Sequence, residues 1–140
     1  MKKQIMLAGL TLALLSTGAH AADSAQVSAT KHANLLGYTK FPQRDGEALY
    51  KAVCAGCHMP DGKGGTGAGF YPALADNGNL AAWAYPALLI LNGSKAMPSF
   101  RAEMDDEQIT AVVTYIRTKF GNKYDDPVPP DELKALREAK

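Results

Sequence analysis

The two cysteines of this chain are separated by two residues and followed at once by a histidine, in the order Cys54-Ala-Gly-Cys57-His58. No third cysteine occurs among the 140 residues. This spacing places two thiols on about one turn of backbone, where they can add to the two vinyl groups of a haem. The imidazole of His58 can then reach the iron from the same side. The motif therefore predicts one haem c attached through Cys54 and Cys57, with His58 as an axial ligand.

Two other uses of a cysteine pair compete with this interpretation. A structural zinc site needs two more ligands at suitable spacing, and the remaining histidines, His20 and His32, lie far upstream. An exported thiol oxidoreductase of the thioredoxin type needs alternating strands and helices around the motif, and we find no such alternation. A histidine directly after the second cysteine, with a helical pattern before the motif and a glycine-rich loop after it, favours haem.

Residues 1–21 have the pattern of a secretory signal peptide. Lys2 and Lys3 precede an apolar stretch, and Ala19-His20-Ala21 forms a small-residue cleavage site. We expect cleavage after Ala21, export to the periplasm and no transmembrane anchor in the mature chain. Cleavage removes two lysines and no acidic residue, so the formal net charge of +1 becomes slightly negative. A charge so close to zero argues against a nucleic-acid-binding protein.

The length that remains after the leader allows one folded domain. We expect an N-terminal arm, a central domain and a C-terminal extension, at residues 22–43, 44–121 and 122–140. The extension contains a proline-rich connector and a predicted charged helix at about residues 131–139. It is either a solvated tail that packs on the surface or a docking arm for a larger partner.

Helical patterns and long loops dominate the central domain, and no strand pair with hairpin-turn residues is visible, so we expect an all-α fold. One helix is predicted to begin near Asp45 and to run into the cysteine motif. Asp105 and Gln108 have the spacing of a capping box and open a helix that Gly121 is expected to close. Pro86 is expected to divide the apolar stretch between these helices into two short helical pieces.

Met97 is the candidate for the second axial ligand. Of the five methionines, two belong to the leader. Met59 is too close to His58 to reach the opposite face of a haem, and Met104 is expected to fill the core. Met97 lies in a loop before Pro98, which favours an extended backbone that can point the thioether inward. A methionine thioether as axial ligand raises the reduction potential of a haem iron.

Residues 44–121 resemble a class I monohaem cytochrome c. The resemblance rests on the Cys-x-x-Cys-His motif, on Gly46 and Tyr50 ahead of it, and on the Met97-Pro-Ser-Phe loop. It implies the class I cytochrome c fold, in which short helices and long loops surround one covalently bound haem. In that fold the last helix packs across the first, here through Val112 and Tyr115.

The same resemblance assigns two further residues to the haem. The carbonyl of Pro72 is expected to accept a hydrogen bond from the ring of His58, which orients the ring and strengthens it as a ligand. Trp83 lies in the segment that runs beneath the haem propionates in the family, so it is a candidate for a propionate contact.

The resemblance also implies one-electron transfer, in which the iron alternates between Fe(III) and Fe(II) with His58 and Met97 bound throughout. Residues 69–75 and 96–100 are similar to segments of cytochrome subunits or partners of periplasmic dehydrogenases. This similarity implies a dehydrogenase as electron donor and an oxidase or another cytochrome as acceptor. Four basic residues are expected to rim the docking surface: Lys51, Lys63, Lys95 and Arg101. The alternative function is a haem enzyme, or a sensor of a gas or peroxide, with an open sixth iron position, and it requires that Met97 does not bind iron.

Overall fold

The computed structural model of the chain describes residues 40–67 and 69–139. The predicted signal peptide and most of the predicted arm lie outside the described residues, so the leader and its cleavage stay predictions. Within the described part, none of the helices is long and apolar enough to cross a bilayer. The α-helices described are α1 Gly46–Leu49, α2 Ala55–His58, α3 Ala84–Asn92, α4 Asp106–Thr118 and α5 Pro130–Glu138.

The first helical run extends from α1 through a π-helical turn at Tyr50–Cys54 into α2. Asp45 caps this run as predicted, because its carboxylate accepts a 2.8 Å hydrogen bond from the backbone N–H of Ala48. The run ends at His58, since Met59 has a φ of 65° in the left-handed region. The cysteine motif therefore occupies the end of a helix, and the chain turns away directly after it.

Helix α4 crosses α1 at a point where only glycine fits. A Cβ on Gly46 would collide with the carbonyl oxygen of Ala111 and would lie 2.6 Å from the Cβ of Tyr115. One turn later the ring of Tyr50 packs on that of Tyr115, with centroids 5.5 Å apart. Tyr115 is thus the aromatic partner at the crossing, as predicted. The residue nearest to Gly46 is Ala111 and not Val112, whose side chain is buried in the core.

The apolar stretch ahead of Met97 forms two helical pieces, but the predicted break at Pro86 was wrong. A 3-10 turn occupies Gly78–Ala81, and α3 starts only after the extended backbone of Ala82. Pro86 is the third residue of α3, where a backbone N–H has no partner within the helix, so a proline fits there. Gly93 ends α3 as predicted, with a φ of 72° and a 2.8 Å hydrogen bond to the carbonyl of Leu89.

The predicted capping box opens α4. Asp105 accepts a 3.0 Å hydrogen bond from the backbone N–H of Gln108, and the side chain of Gln108 accepts one of 3.1 Å from the backbone of Asp105. The helix ends at Thr118, earlier than the predicted Gly121, because the backbone of Lys119 is already extended. Gly121 instead takes the left-handed conformation in the turn that follows, with a φ of 87°.

One pair of very short strands, Gly65–Thr66 and Phe70–Tyr71, lies in the glycine-rich loop. The prediction that no strand pair would form was wrong at this point. Two residues are too few to show the alternation of apolar and polar side chains that marks a strand. The architecture described is otherwise helical, as predicted.

The C-terminal helix α5 packs against α3 and α4. Leu133 on this helix is completely buried, and Val128 in the connector before it is 5% exposed. Both side chains belong to the same core as Met104, which is buried as predicted. The extension therefore contributes to the core and does not form a solvated tail, while a docking role for it stays a prediction.

Candidate haem-binding site

The cysteine motif lies on one continuous helical run. Cys54 ends the π-helical turn, and Cys57 and His58 are the last two residues of α2. Neither thiol is part of a disulfide. Cys54 is half-buried against the core, whereas Cys57 is exposed. Two free thiols about one turn apart are thus available to attach one group, next to an imidazole.

The ring of His58 is held by the backbone of Pro72. The distance from Nδ1 of His58 to the carbonyl oxygen of Pro72 is 2.9 Å. A carbonyl oxygen can only accept a hydrogen bond, so Nδ1 carries a proton and Nε2 is the ring nitrogen left to bind a metal. Metal-ligating histidines commonly have this arrangement. The predicted contact is present, and its role towards a haem is a proposal.

Backbone hydrogen bonds fix the chain on both sides of this contact. The N–H groups of Leu74 and Ala75 both donate to the carbonyl of Gly62, at 2.7 and 2.9 Å. Gly64 has a φ of 66°, and a Cβ on it would lie 2.8 Å from the carbonyl atoms of Pro72. The glycines after the motif therefore allow the turn after His58 and the Pro72 segment to approach closely.

The hydroxyl of Tyr50 holds the end of the motif helix, a contact that sequence reasoning missed. It donates a 2.7 Å hydrogen bond to the carbonyl of Met59, the residue after His58. Burial raises the pKa of Tyr50 to about 12, so the phenol remains a donor at neutral pH. The sequence marked Tyr50 only as an aromatic packing residue, because nothing local reveals where its hydroxyl points.

Met97 lies in a loop, residues 93–100, that is anchored to α3. The backbones of Met97 and Ser94 exchange two hydrogen bonds, of 2.9 and 3.0 Å, which close a tight turn. The hydroxyl of Ser99 donates a 2.6 Å hydrogen bond to the carbonyl of Leu91 in α3. The side chain of Met97 is half-buried and packs against the core. The structure thus holds the predicted ligand in a well-defined turn.

Trp83 lies directly before α3 and packs, half-buried, against the core. Among the described residues, its indole N–H has no hydrogen-bond partner. The backbone carbonyls of Leu80 and Ala81, three and two residues before Trp83, accept hydrogen bonds from the buried guanidinium of Arg117. The position of Trp83 is therefore fixed by its neighbours, and a propionate contact stays a prediction.

The predicted basic rim is weaker than the sequence suggests. Lys51 and Lys63 each form an ion pair with a nearby carboxylate, at N–O distances of 2.5 and 3.3 Å. Arg101 is half-buried, and its guanidinium binds the C-terminal helix. Of the four basic residues, Lys95 alone has neither an ion pair nor a side-chain hydrogen bond within the part of the chain that the structure describes. Two of the four positive charges are thus paired with carboxylates, whereas the guanidinium of Arg101 binds uncharged acceptors.

The residues present fit a covalently bound haem better than the competing groups. Among the residues described, no group of three or more potential ligands for another metal is found. Burial, reinforced by the neighbouring Cys57, raises the pKa of the Cys54 thiol to about 11. A dithiol oxidoreductase needs the opposite shift, because the thiolate is its nucleophile. Half-buried apolar side chains keep part of their surface open, as a large apolar cofactor requires: Leu74, Trp83, Met97 and Phe100.

An all-α domain with this helix-borne motif defines a c-type cytochrome. Comparison with known proteins leads to the same class. Residues 42–116 match the family described as cytochrome c oxidase, cbb3-type, subunit III. Because the match covers more than half of the chain, the chain belongs to this family of cytochrome c domains. The fold is therefore the predicted class I cytochrome c fold, and the family implies haem c as the cofactor.

Three relatives of the chain are cytochromes or cytochrome subunits. Cytochrome c-552 of Thermus thermophilus is 35% identical over 129 residues, which covers 76% of this chain and 83% of that protein. The fructose dehydrogenase cytochrome subunit of Gluconobacter japonicus is 36% identical over 108 residues, and this chain spans 22% of its length. The cytochrome c subunit of 4-cresol dehydrogenase of Pseudomonas putida is 38% identical over 72 residues, with 51% of this chain and 57% of that protein covered. These relatives support an electron carrier.

Proposed function

We propose that this protein is a one-electron carrier with one haem c, attached through thioether bonds to Cys54 and Cys57. His58 and Met97 are the axial ligands on the two sides of the iron. When bound, the haem supplies a one-electron couple between Fe(III) and Fe(II). The observation that carries the proposal is the hydrogen bond from Nδ1 of His58 to the carbonyl of Pro72, on the helix that bears both cysteines.

The protein keeps both ligand side chains in place by contacts within the chain. The carbonyl of Pro72 fixes the orientation of the His58 ring and leaves Nε2 as its free lone pair. On the other side, the paired hydrogen bonds between Ser94 and Met97 limit the movement of the loop. Such fixed surroundings suit electron transfer, because little has to rearrange when the charge of the site changes by one.

The electron donor is a periplasmic dehydrogenase, and the acceptor is an oxidase or another cytochrome. Support for the donor class comes from the similarity to cytochrome subunits of fructose dehydrogenase and 4-cresol dehydrogenase. The signal-peptide pattern of residues 1–21 supports the periplasm as the compartment. Small, transient interfaces are typical of such redox encounters.

The test is carried out on full-length protein matured in a bacterial periplasm. Intact mass after removal of free haem, together with the pyridine haemochrome spectrum, measures covalent attachment. One haem per chain is expected, with attachment reduced in both Cys54→Ala and Cys57→Ala. The reduced protein should show no spectral change with carbon monoxide, because Met97 occupies the sixth position. A chain without covalent haem would contradict the proposal, and strong carbon monoxide binding would favour the enzyme or sensor.

A further inference from the structure

The C-terminal segment, residues 122–139, forms hydrogen bonds with the stretch after Pro72 and with the chain just after the Met97 loop, and it is linked through Arg117 to the turn before Trp83. Three of its residues take part at different points: Asn122, Asp126 and Arg137. None of them is needed to attach or ligate a haem in the proposed function. The pattern of their contacts indicates a separate role.

The strongest of these contacts joins the last turn of α5 to the chain just after the Met97 loop. The guanidinium of Arg137 donates hydrogen bonds to the carbonyls of Arg101 and Met104, at 2.7 and 2.9 Å. Its Nε donates a third, of 2.5 Å, to the carboxylate of Asp106. In the opposite direction, the guanidinium of Arg101 donates to the carbonyl of Arg137. The two arginines thus tie two backbone segments together reciprocally.

Arg101 transmits this contact to the loop that holds Met97. Its backbone N–H donates a 3.3 Å hydrogen bond to the hydroxyl of Ser99, which itself binds α3. Its guanidinium also reaches the side chain of Asn92 at the end of α3. The adjacent Phe100 donates a 2.9 Å backbone hydrogen bond to the carbonyl of Ile90. The end of the Met97 loop is therefore held between α3 and α5.

The beginning of the same segment holds the loop on the His58 side. Asn122 is 6% exposed, and its amide donates to the carbonyls of Leu74 and Ile116 at 2.7 and 2.8 Å. Its side-chain oxygen accepts a 2.9 Å hydrogen bond from the backbone N–H of Asn77. These contacts bind the stretch that follows Pro72 to the end of α4.

The middle of the segment is linked to the chain before Trp83 through Arg117 of α4. Arg117 is completely buried, and it donates to the carbonyls of Leu80 and Ala81 at 2.9 and 2.8 Å. The same guanidinium binds the backbone carbonyl and the carboxylate of Asp126, at 2.8 and 2.6 Å. One buried arginine thus links the connector to the 3-10 turn that leads to Trp83.

We propose that residues 122–139 are an internal brace that keeps the Met97 loop closed over the haem, with Arg137 as its positioning residue. The proposal rests on the ligation of iron by Met97 in the proposed function. Hydrogen bonds from a charged group to backbone carbonyls are stronger than neutral ones, so the loss of Arg137 removes the side-chain bonds that tie α5 to the chain directly after the loop. The guanidinium of Arg137 binds backbone groups of the same chain, and Leu133 is buried. Both observations favour a brace over a docking arm.

The brace is tested in the full-length holoprotein with Arg137→Ala, Arg137→Lys and a control, Lys134→Ala, at an exposed position of the same helix. Amide hydrogen exchange measures opening of the loop at Met97 and Phe100, without reference to the iron. We expect exchange there to accelerate about tenfold or more in Arg137→Ala. Arg137→Lys should fall between that variant and the wild type, because lysine keeps the charge and loses the planar fork. Lys134→Ala should leave these rates unchanged.

Imidazole binding to the oxidised protein gives a second readout. Added imidazole can bind only when Met97 has moved away, so its apparent affinity reports the open fraction of the loop. About tenfold tighter binding is expected in Arg137→Ala, at an unchanged haem content. Unchanged exchange rates and unchanged imidazole affinity in a folded Arg137→Ala would overturn the brace.

If Arg137→Ala does not fold, Asp106→Asn replaces it, because this change weakens the ion pair at Arg137 and leaves the carbonyl contacts. A smaller acceleration of exchange in the same direction supports the brace, and no change overturns it. If Met97 does not bind iron, the imidazole measurement gives a different result. In that case the wild type binds imidazole as tightly as its variants, while hydrogen exchange still decides whether the brace holds the loop.

Discussion

The hydroxyl of Tyr50 donates a 2.7 Å hydrogen bond to the carbonyl oxygen of Met59, the residue that follows the candidate ligand His58. The Tyr50 side chain is 1% exposed, and its ring packs against Tyr115 and Phe120 with centroid distances of 5.5 and 4.9 Å. One side chain thus connects the crossing of α1 and α4 with the backbone at the end of the motif.

Replacing Tyr50 by phenylalanine should destabilise the protein by about 1 kcal/mol. The ring still packs, but the carbonyl of Met59 loses one of its two donors and keeps only the backbone N–H of Gly62. The free energy of unfolding in guanidinium chloride measures the effect. Tyr85→Phe is the matched control, since Tyr85 is 45% exposed and its loss of a hydroxyl should change the unfolding free energy by less than about 0.5 kcal/mol. Equal effects of the two changes would contradict a structural role for the Tyr50 hydroxyl.

Tyr50 should also make the fold sensitive to alkali. Burial raises the pKa of Tyr50 to about 12, above the value of 10.0 for an exposed tyrosine. A group whose pKa is higher in the folded state stabilises the fold fully below its unfolded pKa, and this stabilisation is lost as the pH rises towards the folded pKa. The unfolding free energy should therefore fall between pH 10 and about pH 12, and less steeply in Tyr50→Phe. Parallel profiles for both proteins would show that Tyr50 does not cause the loss.

Adding one methyl group at Gly46 should force α1 and α4 apart. The new Cβ would meet the backbone carbonyl of Ala111, which cannot rotate out of the way. Gly46→Ala should cost about 2 kcal/mol or more in the unfolding free energy. Gly78→Ala is the control, because nothing lies within 4 Å of a Cβ at that position. That variant should be neutral or more stable by up to about 1 kcal/mol.

Arg117 and Arg44 should respond very differently to replacement by lysine. Arg117 is completely buried and binds four acceptors that a lysine cannot satisfy together, so Arg117→Lys should cost roughly 2–4 kcal/mol. Arg44 forms an exposed ion pair with Asp105, at 2.5 Å, and Arg44→Lys should cost less than about 0.5 kcal/mol. Thermal unfolding of both variants checks the contrast, and a mild effect of Arg117→Lys would show that its contacts are dispensable.

Helix ends were predictable where the signal is local. The caps at Asp45 and Asp105 and the stop at Gly93 depend on side chains and dihedral angles within four residues of the helix end, which a sequence displays directly. The wrong prediction of a helix break at Pro86 also came from a local signal. A proline in the first turn and a proline that breaks a helix look alike until the start of the helix is known.

Contacts between distant parts of the chain were not predictable from residue patterns. The hydrogen bond between His58 and Pro72 was expected only because the sequence resembles cytochromes c. Nothing in the sequence distinguishes Arg117 from a solvent-exposed arginine, since its acceptors lie up to 37 residues away and three of the four are backbone carbonyls. The same holds for Arg137, whose partners become neighbours only when α5 folds back onto α3 and α4.

The ligation of the haem iron by both His58 and Met97 is the central claim, and the absorption spectrum of the oxidised protein tests it most directly. Ferric haem bound by a thioether has a weak band in the far red. We predict this band in the wild type and in Met104→Leu, which changes a methionine buried in the core, and its loss in Met97→Ala with covalent haem retained. A high-spin wild-type spectrum without the band, or a band that survives in Met97→Ala, would contradict the account.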